Sequence, residues 1–564
     1  MRFRRLSAAV CAAILGLASL NSPSQCQAQG NKPTAKAAAV AVADEVDDGA
    51  VVVVALNAID SLLPNIQHIA RMVGAGAASG GISTVLNQFS GGLDRTRPLG
   101  VFVNLDEAGT PTPIGCLPID DLEQFFDQLS AFGEPNDLGD GLYEFSFGNP
   151  IYAKKIGKWL YVGQTEDALE DIPENMGDML PKMISTYDVR IQVNPQNIPE
   201  ELVEFFMGQV QAGLDQGMAS QGNLDEADAQ AARETSEQMI AQMQEGIEGT
   251  EKIIIGLAVK KQEKRTILDF GSQFVADSKY AKQVEKLKSS KTSVSGIAQD
   301  GSMMTLQTFQ LVAPEEVGQL ETTLEAGLKT AFKSIDEGAK DPASAAKAKE
   351  LIEKAVDILV ESAKLGKMES AVDVSIESAL NIVASISVAD GSKIEALASE
   401  IATEIAKEKV PVQLKVNTGK HAGFNLHSET VALPPDAAKE AKKIFGNSVT
   451  IALATSPKML HIAVGQNCDA SVKSAIDRGN AKPTGPAEMV KMKLVLTQLL
   501  KYINDIQPTP ISEAMLSAAT ADNDRILIDS QPMDRGVAVR LSVEDGVMKA
   551  IAAGVKAGQP GGGF

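Results

Sequence analysis

The chain is poor in aromatic rings, with one Trp, six Tyr and 17 Phe among 564 residues. Surfaces that grip sugars or single-stranded bases depend on stacking rings, so such partners are disfavoured. Buried volume has to come from Ala, Val, Ile and Leu. Basic charge is also short. Lys and Arg number 52 against 73 Asp and Glu, a net charge of −21. That field repels phosphate backbones and anionic lipid heads, which argues against nucleic acid as a partner. The densest basic run, Lys260-Lys261-Gln262-Glu263-Lys264-Arg265, reads as a solvated hairpin turn. Cysteines number four, too few for a disulfide framework.

Catalytic motifs are missing as well. The sequence holds no Gly-x-Ser-x-Gly elbow, His-Glu-x-x-His helix, Walker loop or calcium loop. His68, His421, His427 and His461 lack the spacing of a closed metal site and read as surface residues, with His461 at an outward-facing strand position. The glycine-rich stretch from Gly74 follows a helix instead of a strand, so it lacks the context of a dinucleotide loop and reads as a mobile connector to Gly92. Catalytic, cofactor-binding and metal residues are therefore expected to be none, and no cofactor is expected.

What is present begins with a leader. Arg2, Arg4 and Arg5 precede an apolar run from Ala8 to Leu20, and Cys26-Gln27-Ala28 offers a small-residue cleavage site. The run is about 13 residues, short of the roughly 20 a bilayer span needs. Residues 1–28 are expected to be removed as a signal peptide. That would leave 49 of the 52 basic residues against 73 acidic ones, a net charge of −24. The mature chain is expected in the periplasm or outside the cell, not as an integral membrane protein. Cys116 and Cys468 remain and read as buried free thiols, with pairing left open.

Two distant stretches repeat one pattern. Lys158-Trp159-Leu160-Tyr161-Val162-Gly163-Gln164-Thr165-Glu166-Asp167-Ala168 returns as Lys458-Met459-Leu460-His461, then Val464-Gly465-Gln466-Asn467-Cys468-Asp469-Ala470. Each copy is an apolar strand, a Gly-Gln turn and an Asp poised to start a helix. Internal repetition of this kind decides the fold reading. Gly163 and Gly465 suit a positive-φ turn. Gln164 and Gln466 can bond backbone groups of that turn. Asp167 and Asp469 read as helix N-caps, stabilising by about 1 kcal/mol. These six residues are structural candidates with a possible binding role.

Strand and helix periodicities extend the repeat. After a tether at 29–50, one domain is expected at 51–290, a second at 291–557, and a disordered tail at 558–564. Strand pairs at hairpin spacing, broken by single helices, predict an α+β fold. It would consist of two tandem repeats of antiparallel sheet with helices mainly on one face. The Met-bearing segment with Met207, Met218, Met239 and Met243 reads as an acidic helical excursion. With its leader, Ala-rich tether, twin stretches and Gly-Gly-Gly-Phe end, the chain resembles exported, internally duplicated α+β proteins of unknown function typical of planctomycete-type bacteria.

That resemblance implies no catalytic residue. The expected function is a non-enzymatic envelope or secreted protein acting through interaction surfaces, with an unknown protein partner or an apolar ligand. The alternatives are a periplasmic carrier of an apolar ligand or lipid, and a hydrolase without a recognisable motif.

Overall fold

Alternation of apolar and polar residues with β-branched side chains at the inward positions builds twenty strands among the described residues. The computed structural model describes residues 49–558 except 107–108, 131–132, 171, 174, 221–225, 295, 339–340, 377–378, 408–414, 433–438 and 481–486. The expected leader, the tether up to residue 48 and the tail from 559 lie outside the described residues. Ala50 corrects the tether's end: it is fully buried, and its carbonyl accepts from Asn194 Nδ2 at 2.7 Å and from Asn197 Nδ2 at 3.1 Å.

The fold is α+β, with every described strand pairing antiparallel. Contacts divide the chain into two compact units. The N-terminal unit takes residues 35–285 together with 532–552. Residues 532–552, expected within the second domain, thus belong with the first half of the chain.

The N-terminal unit contains β1 (Val52–Leu56), β2 (Leu99–Leu105), β3 (Pro111–Pro118), β4 (Asn136–Gly139), β5 (Leu142–Phe147), β6 (Asn149–Ile156) and β7 (Trp159–Gly163). It also contains β8 (Val189–Val193), β9 (Thr250–Lys260), β10 (Arg265–Phe274) and, from the end of the chain, β20 (Gly536–Glu544). Their order across the sheet is β4-β5-β6-β7-β3-β2-β1-β8-β9-β10-β20. The basic run of the sequence makes the β9–β10 turn, closed by Lys264 at φ +53°.

The C-terminal unit contains β11 (Met304–Leu311), β12 (Lys367–Ile376), β13 (Leu380–Ser387), β14 (Lys415–His421), β15 (Phe424–Ala432), β16 (Ser448–Ser456), β17 (Met459–Gly465), β18 (Val490–Val495) and β19 (Arg525–Met533). Their order is β14-β15-β16-β17-β13-β12-β11-β18-β19. Trp159 stands opposite Ile156 of β6 and Pro118 of β3. Met459 stands opposite Ser456 of β16 and Ser387 of β13.

Helices start where the local chemistry starts them. Asp121 accepts from Gln124 N at 3.0 Å and begins the helix Leu122–Leu129. Pro342 and Pro510 occupy first turns, where a missing N–H costs nothing. Thr509 and Ser512 close a capping box. The stretch Gly76–Gln88, expected as a mobile connector, is a helix. Its glycines weaken it by about 1 kcal/mol each. Contact with the helix Ile59–Met72, including a 3.1 Å bond from Gln67 Nε2 to Ser83 Oγ, offsets that loss.

In both units helices pack on both faces of the strands, where helices mainly on one face were expected. In the C-terminal unit Leu460 and Ile462 pack with Ile394 of the helix Gly391–Lys407. Met459 and Ala463 pack with Val472 and Ile476 of the helix Cys468–Gly479. In the N-terminal unit Leu160 meets Phe125 on one side. Trp159 and Tyr161 meet Met176 and Leu180 on the other. Strand alternation reports which residues share a face but not what covers it. No helix among the described residues is long and apolar enough to cross a membrane.

Candidate functional site

The helix following β3 and the helix following β13 begin at matching distances from their strands, at Leu122 after Pro118 and at Gly391 after Ser387. In the N-terminal unit the space beneath that helix is filled by rings. Phe126 lies 4.9 Å from Tyr143 and 5.3 Å from Phe145, edge to face, and 6.2 Å from Phe125. Each well-buried ring contributes about 1.5–3 kcal/mol.

In the C-terminal unit the same ladder positions carry other side chains. Ile394 stands where the N-terminal unit has Phe125, Glu395 where it has Phe126, and Ala398 where it has Leu129. On the strands, Tyr143 opposite Ala153 becomes His427 opposite Leu453, and Phe145 opposite Ile151 becomes Glu429 opposite Ile451.

With these smaller and polar side chains in place of rings, an apolar chamber of about 110 Å³ lies between sheet and helices in the C-terminal unit. Ile358 of the helix Pro342–Ala363 and Leu397 of the helix Gly391–Lys407 form its roof. Ile386, Leu453, Leu460 and Ile462 form its floor. Polar surface is nearly absent from it. A void of this kind takes an apolar occupant in preference to water, as an engineered cavity of roughly 150 Å³ takes benzene.

Beside the chamber the exchanged residues form a polar cluster. His427 is 2% exposed, and its Nδ1 accepts from Asn417 N at 3.1 Å. Its Nε2 lies 3.3 Å from Thr455 Oγ1 and 3.9 Å from Glu395 Oε2. Burial lowers the His427 pKa, against the opposing pull of Glu395. Burial likewise raises that of Glu429. On the other face Ser385 Oγ lies 2.7 Å from His461 Nδ1, a spacing that suits a nucleophile and its base. Both residues are sealed, at 0% and 2% exposure. Burial and the positive charge of Arg478 push His461 down to about 4. No substrate reaches that pair, and it reads as a satisfied core contact. Among the described residues no group of three His, Cys, Asp or Glu is arranged to hold a metal ion.

The histidines correct the expectation of surface positions. His461 replaces Tyr161, which is itself fully buried, so the position faces inward in both units. His421 is partly exposed and pairs with Asp477 Oδ1 at 2.8 Å. His68 is mostly buried, 3.1 Å from Asp545 Oδ2.

The six motif residues lie at strand ends, away from the chamber. Gly465 has φ +155°, and a Cβ there would meet Leu380 O at 2.7 Å. Gly163 has no positive φ; a Cβ there would press on Leu169 at 3.1 Å. Gln466 Nε2 donates to Phe445 O at 2.9 Å, satisfying a carbonyl at the end of the helix Lys439–Phe445. Gln164 is exposed.

Neither Asp is an N-cap, which corrects that expectation. Asp167 opens a short 3-10 turn, where Thr165 Oγ1 accepts from Ala168 N at 3.3 Å. Asp469 sits one residue inside the helix Cys468–Gly479. Both are exposed, and the Asp469 charge adds to the burial that raises the Cys468 thiol. Cys116 and Cys468 are free and buried. Burial pushes both thiols up to about 12, so they are protonated and inert at neutral pH. Comparison with family models, curated proteins and solved structures returns no match.

Proposed function

We propose that the chain is an exported, non-enzymatic binding protein on a duplicated α+β scaffold, and that its C-terminal unit carries an apolar ligand or lipid. Two strand orders that run in parallel, with Trp159 and Met459 at matching ladder positions, support the duplication. The observation that carries the binding role is the chamber of about 110 Å³ where the N-terminal unit packs Phe125 and Leu129. One copy keeps a filled core and the other holds space. That is the arrangement expected when a duplicated fold keeps one half for stability and gives the other a ligand.

The test restores the side chains of the N-terminal unit through Ile394→Phe with Ala398→Leu. Wild-type protein is expected to bind one 1-butanol per chain in calorimetric titration, a probe short enough for the chamber of about 110 Å³. The filled variant is expected to bind none and to gain up to about 2–3 kcal/mol of stability from the lost void. Equal binding by both proteins, or none by either, would end this reading.

A second reading, action through a protein-interaction surface, is favoured by the helical excursion. Phe205 and Phe206 are 66% and 53% exposed on the helix Glu200–Ser220, and Met239 is exposed on the helix Glu226–Glu248. Adjacent large apolar side chains this exposed mark contact surfaces. Under this reading, Phe205→Ser with Phe206→Ser leaves the Tm unchanged and removes a cross-linked product formed in the cell envelope. An unchanged cross-linking pattern counts against it.

A further inference from the structure

The chamber shares two of its walls with a second recess. Ile358 and Leu397 line both. The outer recess, about 610 Å³, is cut between the helices Pro314–Gly338, Pro342–Ala363 and Gly391–Lys407. Leu328, Val356 and Ala396 give it apolar surface, and its remaining walls are mostly charged. Three lysines there are matched by three glutamates: Lys354 with Glu400 at 2.7 Å, Lys364 with Glu321 at 2.8 Å, and Lys393 with Glu361 at 2.6 Å. Glu325 and Asp357 line the same recess beyond those pairs, a local surplus of two negative charges.

We propose that the ligand is a single-chain amphiphile with a cationic head, the end of its tail in the inner chamber and the rest of the chain and its ammonium in the outer recess. This deepens the carrier reading and rests on it. The inner walls exclude water and suit an alkyl chain. The outer recess keeps a head group hydrated, and its surplus carboxylates favour a positive charge. An anionic head meets those carboxylates and the net charge of −21.

The two roof helices are held together at the surface by Lys354 and Lys347 on Glu400, the latter at 3.1 Å, and by Lys393 on Glu361. Exposed pairs of this kind are weak and screened by salt. These pairs therefore oppose a parting of Ile358 and Leu397 only weakly.

The experiment titrates the mature full-length protein with dodecyltrimethylammonium, dodecyl sulfate and 1-dodecanol, each below its micelle concentration, at low salt. Dodecyltrimethylammonium is expected to bind one per chain, roughly tenfold tighter than dodecyl sulfate. In Glu325→Gln with Asp357→Asn, a surface variant that leaves the core intact, the two should approach parity while dodecanol is unchanged. Dodecyl sulfate binding as tightly as the cation would overturn the head-group assignment, while dodecanol bound by wild type and lost in the filled variant would still uphold the chamber. Dodecanol bound equally by the filled variant, or by neither protein, would bring down the chamber reading and this inference together.

Discussion

Asp269→Ala is expected to destabilise the N-terminal unit by about 3–5 kcal/mol. Asp269 is fully buried on β10, directly opposite Arg540 of β20. Its two oxygens accept from Arg540 Nε at 2.7 Å and Nη2 at 2.6 Å, and Tyr187 Oη donates to it at 3.0 Å. Burial, with the Asp269 charge beside it, raises the pKa of the Tyr187 hydroxyl, so it stays a donor. Removing the carboxylate leaves a guanidinium and a hydroxyl facing each other without their acceptor. That cost exceeds the value of the bonds themselves.

The effect can be read locally. The single Trp of the chain, Trp159, is 3% exposed in the same unit, and its Nε1 donates to Asp178 at 3.1 Å. The urea midpoint followed by Trp fluorescence should fall steeply in Asp269→Ala. Tyr187→Phe should lose about 1 kcal/mol. Asp269→Leu combined with Arg540→Met should recover most of the loss, because a buried ion pair replaced by apolar groups is often neutral. A loss below about 1 kcal/mol in Asp269→Ala would mean that the backbone ladder alone holds β20 in place.

Much of this architecture was legible because it follows from local periodicity. The alternation in Lys252–Lys261 and Arg265–Val275 predicts β9 and β10 within about two residues at each end. The sequence leaves Asp120 or Asp121 to begin the next helix, and the structure caps it with Asp121. The placement of β20 was not. Its pattern marks a strand, but nothing local says that its partner is β10, some 270 positions earlier. Gly76–Gln88 misled for a different reason: glycine weakens a helix without forbidding it, and contact with Ile59–Met72 decides the outcome.

The candidate site was hardly legible at all. A cavity is a mismatch in volume between side chains brought together from β12, β13, β16, β17 and two helices, so no single window of sequence contains it. The one available signal is differential. Phe125, Phe126, Tyr143 and Phe145 in one half correspond in ladder position to Ile394, Glu395, His427 and Glu429 in the other. That comparison needs the ladders as its guide, because the twin motif aligns only β7 with β17. The motif itself drew attention to Asp167 and Asp469, which are exposed. Its inner residues Leu460 and His461 matter more, the first on the chamber floor and the second in the core behind it.

His461 supplies the second large effect, and its sign can be worked out. A free imidazole takes up a proton near 6.5. In the folded protein burial, and then the Arg478 charge, push this one down to about 4. Above pH 6.5 both folded and unfolded chains hold it neutral, and it costs nothing. As pH falls from 6.5 towards 4 the unfolded chain gains a proton that the folded chain refuses, so stability drops. The drop over that interval is about 3 kcal/mol. His427, also lowered by burial, acts in the same direction and leaves a residual slope.

His461→Phe removes the proton site while keeping a ring against Phe424, now 4.9 Å away. It forfeits the Ser385 bond and should cost about 1 kcal/mol at pH 7.5. Near pH 4.5 the variant should be the more stable of the two. Denaturant-dependent amide exchange on β13 and β17 would measure both proteins across that range. The carboxylates titrate alike in each, so the difference between them isolates His461. Parallel loss of protection in both proteins from pH 6.5 to 4 would show that this imidazole is not held neutral by its surroundings.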